Sequence, residues 1–269
     1  MRFSVLISIY CEENPEFLSQ ALLSIWDNQN IKPNQIVLVK DGPLTPDLNA
    51  EIGQWQNKLG DTLVSIQLAE NVGLGAALNA GLEACEHELV ARMDTDDVSM
   101  PERFEKQVRF MQAYPDVTAS SAGLEEWSED LNSRIGKRTL PVDPELLKIF
   151  AKKRSPLSHP LAMYRKSAVL AVGGYPPLRK SQDYALWSLL LVKGYKLANL
   201  PDVLLKMRTG DDFFVRRGAG FLKHELALLR FQKEIGFLNM REFLINCLLK
   251  SVLRLSPSFF KKFAYRNLR

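Results

Sequence analysis

The 269-residue chain predicts an α/β fold: a mostly parallel sheet with helices on both faces and a helical appendage at its C-terminal end. Three observations predict it. β-Branched apolar runs alternate with segments whose apolar residues recur at helical spacing. The strand runs are continuously apolar, as strands covered on both faces are. Beyond residue 210 the strand pattern stops and only helical spacing remains.

The elements follow in order. Phe3 to Tyr10 is a buried strand. Phe17, Leu18, Ala21, Leu22 and Ile25 mark a helix from Pro15 to Asn28. Ile36-Val37-Leu38-Val39 form a second strand, stopped by Asp41-Gly42-Pro43. A helix over Asp47 to Leu59, a strand over Thr62 to Leu68 and an Ala/Leu-rich helix over Gly73 to Cys85 come next. Leu89 to Met93 is a short strand running into Asp94-Thr95-Asp96-Asp97. Pro101 opens a helix to Tyr114, as proline does at a first helical position. The second half is looser. A strand over Ala119 to Glu126 precedes a polar stretch to Arg138 and a helix from Pro144 to Lys153. A strand over Leu161 to Tyr164 is followed by helices over Lys166 to Val172 and Asp183 to Lys193. Two short strands, Lys196 to Leu200 and Val203 to Met207, end the body. The organisation expected is an α/β body over residues 1–210, with halves 1–115 and 116–210, and a basic tail over 211–269.

Composition removes several classes. Cys11, Cys85 and Cys247 are too few and too scattered for a disulfide framework or a zinc site, so a reducing cytosol is the simplest setting. The apolar N-terminus lacks a small-residue cleavage site and reads as a first strand, not a signal peptide. No uninterrupted apolar run approaches the roughly 18 residues that span a bilayer. The net charge of +4 hides an asymmetry: from Phe213 onward twelve Lys and Arg face three Glu, so the tail is about +9 and the rest about −5. Such a tail is expected to meet something anionic.

In an open parallel sheet, ligands bind beyond the carboxyl ends of the strands. Four polar clusters fall there: Ser8, Tyr10 and Glu12; Asp41-Gly42; Asn71 with Gly73; and Asp94 to Asp97. Alternate residues of an extended chain project to one side, so Asp94 and Asp96 can face one ligand together. Paired hard carboxylates suit Mg²⁺ or Mn²⁺ bridging a diphosphate. The plain alternative is an acidic loop before the Pro101 helix. Asp41 can accept from a nucleobase imide, or simply make a turn. Tyr10 can stack on a base and Glu12 can bind uracil or ribose; each is otherwise an ordinary strand-end side chain. Amides of the Asn71-Val72-Gly73-Leu74-Gly75 loop can meet phosphate at a helix start. Asp183 either caps its helix or acts as a general base for an acceptor hydroxyl, a role that contributes roughly 10²–10⁴-fold. His159 is a hydrogen-bonded loop histidine or an extra metal or phosphate contact. Lys152, Lys153 and Arg154 are a solvated helix end or approach an anionic acceptor.

The chain resembles the family 2 glycosyltransferases over its first 210 residues. Ser8-Ile9-Tyr10, Val39-Lys40-Asp41-Gly42-Pro43, Asn71 through Asn79, Asp94-Thr95-Asp96-Asp97 with Pro101, and Gly173-Gly174-Tyr175 before Asp183-Tyr184-Ala185-Leu186-Trp187 stand in the family's order. The resemblance implies the GT-A fold, a Rossmann-like nucleotide-sugar-binding sheet. It implies an inverting transfer from a nucleoside-diphosphate sugar, usually UDP-linked, with Mn²⁺ or Mg²⁺. Asp96 would hold the metal and Asp94 would lie near the ribose and metal-bound water. Asp41, Glu12 and Tyr10 would line the uridine pocket, with Ser8, Asn71, Asn79 and Thr95 also on the nucleotide-sugar side, and Asp183 would be the base. Two departures stand out: Lys40 replaces an acidic residue the family often has before Asp41, and Gln182 replaces the acid often found before the base.

Within the family, the nearest resemblance is to bacterial enzymes of O-antigen and exopolysaccharide assembly, of the amylovoran type. That implies transfer of galactose or glucose to N-acetylglucosamine linked through diphosphate to undecaprenol. Phe243, Leu244, Leu248, Leu249, Val252 and Leu253 can form one helix face edged by Lys250 and Arg254. Basic amphipathic helices of this kind lie on anionic membranes, which here means the cytoplasmic face of a bacterial plasma membrane; packing against the body is the alternative. A metal-dependent sugar nucleotidyltransferase and a non-catalytic nucleotide-sugar-binding module are the competing readings. The first needs a basic phosphate loop near the N-terminus, and Ser8 to Pro15 has no Lys or Arg. No nucleic-acid recognition motif is present.

Overall fold

A computed structural model describes residues 1–210 and 219–255. Asp211 and Asp212 at the expected boundary, and Arg216, Arg217, Lys261, Lys262, Arg266 and Arg269 of the basic tail, lie outside the described residues.

The first half alternates as its periodicity predicts. β1 (Phe3–Ile9), α1 (Pro15–Ile25), β2 (Gln35–Lys40), α2 (Pro46–Leu59), β3 (Leu63–Gln67), α3 (Leu74–Ala84) and β4 (Leu89–Met93) follow one another. Local chemistry sets the helix starts. The Asn14 carboxamide accepts from the Glu16 and Phe17 amides, with Pro15 at the first helical position, and the Thr45 hydroxyl caps α2 ahead of Pro46. The second half runs β5 (Val98–Ser99), α4 (Arg103–Ala113), β6 (Val117–Trp127), β7 (Arg134–Arg138), α5 (Pro144–Ala151), β8 (Met163–Arg165), α6 (Lys166–Ala171), α7 (Gln182–Val192) and β9 (Lys196–Arg208). α8 (Leu222–Glu234) and α9 (Met240–Leu255) complete the described chain.

One nine-stranded sheet holds everything together, in the order β3-β2-β1-β4-β8-β6-β9-β5 with β7 paired on β6. β3, β2, β1 and β4 pair in parallel. β8 joins β4 antiparallel, β6 joins β8 antiparallel, and β9 runs parallel to β6. The parallel pattern therefore belongs to the first half, and the second half makes the sheet mixed. β5 and β7 were not visible in the sequence. β7 is a polar, largely exposed edge (Arg134-Ile135-Gly136-Lys137-Arg138), held by its ladder to β6 and not by an apolar face. The two short strands expected before residue 208 are one strand that passes through Pro201, with register shifts against β6.

Alternate residues of β1 feed opposite faces. Phe3, Val5, Ile7 and Ile9 pack with α1, α2 and α4, while Leu6 packs with α3 and α7. α3 lies very close to the sheet because Gly81 has no side chain: a Cβ there would sit 2.4 Å from Leu6 Cδ1 and 2.5 Å from Val39 Cγ2. α8 joins the body through Leu228 and Leu229, which pack with Ala151, Tyr184 and Ala185. α9 turns Phe243 and Cys247 toward that cluster and exposes Leu244, Ile245, Leu248, Leu249 and Val252. The helix thus packs on the body with one face and leaves an apolar stripe on the other. The observed stripe contains Ile245 and excludes Phe243, and Leu253 turns to the cleft described next.

Candidate functional site

From β1 the chain moves outward to β2 and β3, then returns through α3 to β4 on the other side of β1. The strand order reverses between β1 and β4, which is where an open α/β sheet leaves a crevice for a ligand. The residues just past those two strand ends are Tyr10 to Glu13 and Asp94 to Asp97.

The acidic segment alternates as extended chain does. Asp94 and Asp96 are half-buried and face a cleft, whereas Thr95 and Asp97 are 3% and 2% exposed. Each turn of the segment is held from behind. The Arg92 guanidinium, 1% exposed, donates to Asp94 Oδ1 and to the Leu6 carbonyl. Arg103, fully buried, donates to Ser99 Oγ (2.8 Å), Gln107 Oε1 (3.0 Å) and the Arg92 carbonyl (2.5 Å). Burial pulls Arg103 down to about 9, so it still carries its charge at neutral pH. The Arg208 backbone N–H donates to Asp97 Oδ1 at 3.1 Å, and its guanidinium donates to the Asp96 carbonyl, to Gln20 Oε1 and, at 2.9 Å, to the Glu129 carbonyl. That guanidinium also lies 4.2 Å from the centre of the Phe17 ring.

Electrostatics within the segment follow from this packing. Burial first, then the charge of Asp94, raises Asp96 to about 6. Burial and the charges of Asp96 and Asp94 raise Asp97 as well. Glu13 accepts from Thr95 Oγ1 at 2.8 Å, and burial, aided by Asp96 and Asp94, lifts it to about 7. Carboxylates gathered this closely disfavour one another's charge unless a cation joins them. Among the described residues no group of three or more His, Cys, Asp and Glu could hold an ion. The donor set instead fits Mg²⁺ or Mn²⁺, which takes one or two carboxylates and completes its shell from phosphate and water.

On the β2 side, Asp41 is 4% exposed, and its oxygens accept from the Val72 (2.8 Å) and Gly73 (3.1 Å) amides. Those two amides, expected to meet phosphate, are therefore taken up by Asp41. Gly42 makes the approach possible: its φ is +87°, and a Cβ would meet the Asn71 nitrogen at 2.7 Å. Asn71 itself is exposed, and Ser8 is half-buried near the end of β1. Tyr10 and Glu12 are at the surface, joined by a 3.3 Å bond from the phenol to the carboxylate. Asn79 bonds both ways with the Tyr175 backbone, at 2.7 and 3.0 Å, and so clamps the Gly173-Gly174-Tyr175 turn. Gly174 accepts that clamp because its φ is +75° and any Cβ would strike Asn79 Oδ1.

Asp183 sits in the first turn of α7. Ser181, in the left-handed region at φ 60°, holds the cap position, so Asp183 is not the cap. It lines the same cleft as Asp94 and Asp96, is half-buried, and among the described residues has no hydrogen bond or ion pair. Gln182 behind it is buried against Gly75, where a Cβ would lie 3.3 Å from Gln182 Cγ. A bare glycine in α3 thus lets the start of α7 close in on the donor side. His159 also lines the cleft; its Nε2 lies 3.1 Å from the Tyr175 hydroxyl, and burial lowers it to about 4, leaving it neutral. A metal contact would have to use its other ring nitrogen.

Sequence reasoning missed Glu13, Arg92, Arg103 and Arg208. Arg92 did carry a signal, as a charge inside the buried run Val90-Ala91-Arg92-Met93. Arg208 carried none, because it reaches Asp97 across 111 residues.

The opposite wall differs in sign. The cleft, of about 670 Å³, is bounded there by Lys137, Lys153, Arg154, Lys180, Lys250 and Arg254, with Leu228 and Leu253 among them.

The "Glycosyl transferase family 2" model matches residues 4–173. The amylovoran biosynthesis glycosyltransferase AmsE of Erwinia amylovora is 41% identical over 98% of each chain. A UDP-Gal:α-D-GlcNAc-diphosphoundecaprenol β-1,3-galactosyltransferase of Escherichia coli is 34% identical over 99% of this chain and 96% of its own. Among solved structures, the mannosyltransferase PcManGT of Pyrobaculum calidifontis, in complex with GDP-Man and Mn²⁺, superposes with a TM-score of 0.68 at 18% identity. It covers 95% of this chain and 70% of its own. S. aureus TarS 1-349 gives the same score and identity over 99% and 75%.

Proposed function

The chain belongs to glycosyl transferase family 2 and is a glycosyltransferase of the GT-A fold, and from that premise we propose that it moves galactose or glucose from a UDP-sugar to a saccharide linked to lipid through diphosphate, with inversion. The observation that carries this reading is the shared cleft. Asp94 and Asp96 face it from the strand-order reversal, and Asp183 faces it from α7. The similarity to the Escherichia coli galactosyltransferase, at 34% identity over nearly the whole chain, supports the choice of donor and acceptor.

Asp96 would hold Mg²⁺ or Mn²⁺, which when bound neutralises charge on the departing diphosphate. Asp94 is oriented by Arg92, and its remaining lone pairs would serve the ribose and water of the ion's shell. Asp41 keeps a second lone pair on each oxygen for a uracil imide, beside Tyr10 and Glu12. In the transfer, the acceptor hydroxyl oxygen forms a bond to the anomeric carbon as the bond from that carbon to the diphosphate oxygen breaks. The hydroxyl proton passes to Asp183, and the bonding pair leaves with UDP. A carboxylate with no competing partner is suited to that proton.

Among the described residues no helix is long and apolar enough to cross a membrane. The exposed stripe of α9, with Arg241 beside it, is proposed to rest on the anionic cytoplasmic face of the plasma membrane, where a lipid-linked acceptor is found.

The test is a panel of nucleotide-sugars offered with Mn²⁺ and a GlcNAc-diphospho-lipid, with the product linkage determined by NMR. A galactosylated or glucosylated product of inverted configuration is expected; no product from any UDP-hexose would overturn the assignment.

A further inference from the structure

The cleft holds more positive charge than a donor can use. A UDP-sugar brings one diphosphate, and the Asp94–Asp96 segment with a divalent ion accounts for it. On the far wall Lys137, Lys153, Arg154 and Lys180 are exposed and line the cleft. No carboxylate pairs with any of the four among the described residues. The other two cations of that wall are matched: Lys250 and Arg254 both reach Glu225, the latter through bonds of 2.7 and 3.0 Å. Four cations facing one cleft, unmatched among the described residues, favour an anion there.

Resting on the transferase reading, we propose that these residues form a second phosphate subsite, which binds the diphosphate of the acceptor. Lys153 and Arg154 follow the last turn of α5, and Lys180 lies three residues before Asp183. An acceptor sugar carries its phosphate one ring away from the hydroxyl that attacks. Cations beside the base are therefore where that phosphate falls when the hydroxyl meets Asp183. Arg154 can bind it through two parallel N–H bonds, and the lysines as point charges. The chain beyond the phosphate also has a path. Leu228 and Leu253 border the basic wall, and Leu253 belongs to α9, whose outer face is the exposed apolar stripe. Sugar, diphosphate and lipid would thus lie in sequence from Asp183 to the rim.

The experiment measures binding of two water-soluble compounds to the full chain by calorimetry in EDTA, so that no metal draws phosphate to the acidic wall. One is GlcNAc-α-diphosphoryl-hexane and the other is hexyl α-GlcNAc. Wild type is expected to bind the diphosphate compound at least roughly tenfold more tightly. Lys153→Ala/Arg154→Ala and, separately, Lys180→Ala should each remove most of that advantage without changing binding of the phosphate-free glycoside. Lys153→Arg should retain it. Equal binding of the two compounds by wild type, or an unchanged advantage in the variants, overturns the subsite. So does a variant that loses only binding to phosphatidylglycerol vesicles, because the cations would then serve membrane headgroups. Transfer is scored separately: failure to galactosylate the same compound counts against the proposed function, while the binding ratio alone decides the subsite.

Discussion

The two walls of the cleft are built on opposite plans. On the acidic wall and its surroundings almost every charge has a fixed partner: Asp94 on Arg92 and Asp97 on the Arg208 amide in the cleft lining, and Glu13 on Thr95 and Asp41 on two loop amides outside it. On the basic wall, among the described residues, Asp183, Lys153, Arg154 and Lys180 have none, and Lys250 and Arg254 are tied to Glu225. The first arrangement suits a part that every catalytic cycle uses in the same form, a nucleotide diphosphate and its ion. The second keeps charges accessible for a substrate that must slide in and be released. Substitutions should therefore report differently: on the acidic wall they couple stability to activity, and on the basic wall they touch activity alone.

The largest effect is expected at Asp183. Asp183→Asn should lower transfer by roughly 10²–10⁴-fold while UDP binding and Tm stay within error; full turnover in the variant would remove the base from this residue. Arg208→Ala tests the other plan. It strips partners from Asp96, Gln20 and the Glu129 carbonyl in a largely buried setting, so about 3 kcal/mol of stability should go together with activity, read by urea unfolding and a transfer assay on one preparation. Loss of activity with no change in the unfolding midpoint would erase the distinction between the walls.

His159 lines the same cleft and sharpens the contrast through pH. Its folded pKa of about 4 is below the ordinary 6.5, so the unfolded chain binds a proton first as pH falls. The associated stability is complete above pH 6.5 and is lost between there and about 4. Tm should fall less steeply across that window in His159→Gln than in wild type, and parallel curves would show that the ring is not held neutral. The smallest effect concerns the outer face of α9. Leu248→Glu/Leu249→Glu should reduce sedimentation with phosphatidylglycerol vesicles several-fold with no change in Tm, and undiminished sedimentation would refute the membrane contact.

Much of the fold was legible because its first half obeys one local rule: buried strands read as apolar runs, and Pro15 marks a helix start, although α2 begins at Pro46 behind the Thr45 cap and not at Asp47. The polar strand ends were legible for the same reason, since a strand that stops at Ser8-Ile9-Tyr10 or Met93-Asp94 announces its own carboxyl end. β7 was not, because an exposed edge strand is held by backbone bonds that leave no apolar period. Nor was the role of Asp97. The sequence left that role open, and the residue's burial and its bond to Arg208 make it a fastening. That assignment depends on a partner 111 residues away, and no local pattern carries such information. Asn79, expected among nucleotide contacts, likewise shows its bond to Tyr175 only once α3 and the Gly173-Gly174 turn are brought together.

The same long reach has a consequence for how the molecule comes into being. Strands β1 to β4 can pair as soon as they leave the ribosome, since each bonds to a neighbour already made or soon to follow. The acidic segment between β4 and β5 cannot be finished then. Its fastening is the last residue of β9, and among the described residues β5 pairs only with β9. A nascent chain shorter than about 208 residues therefore has a nucleotide crevice without a completed floor. On the proposed reading, the ability to hold a sugar donor would arrive late, after Lys137, Lys153, Arg154, Lys180 and Asp183 have already been synthesised.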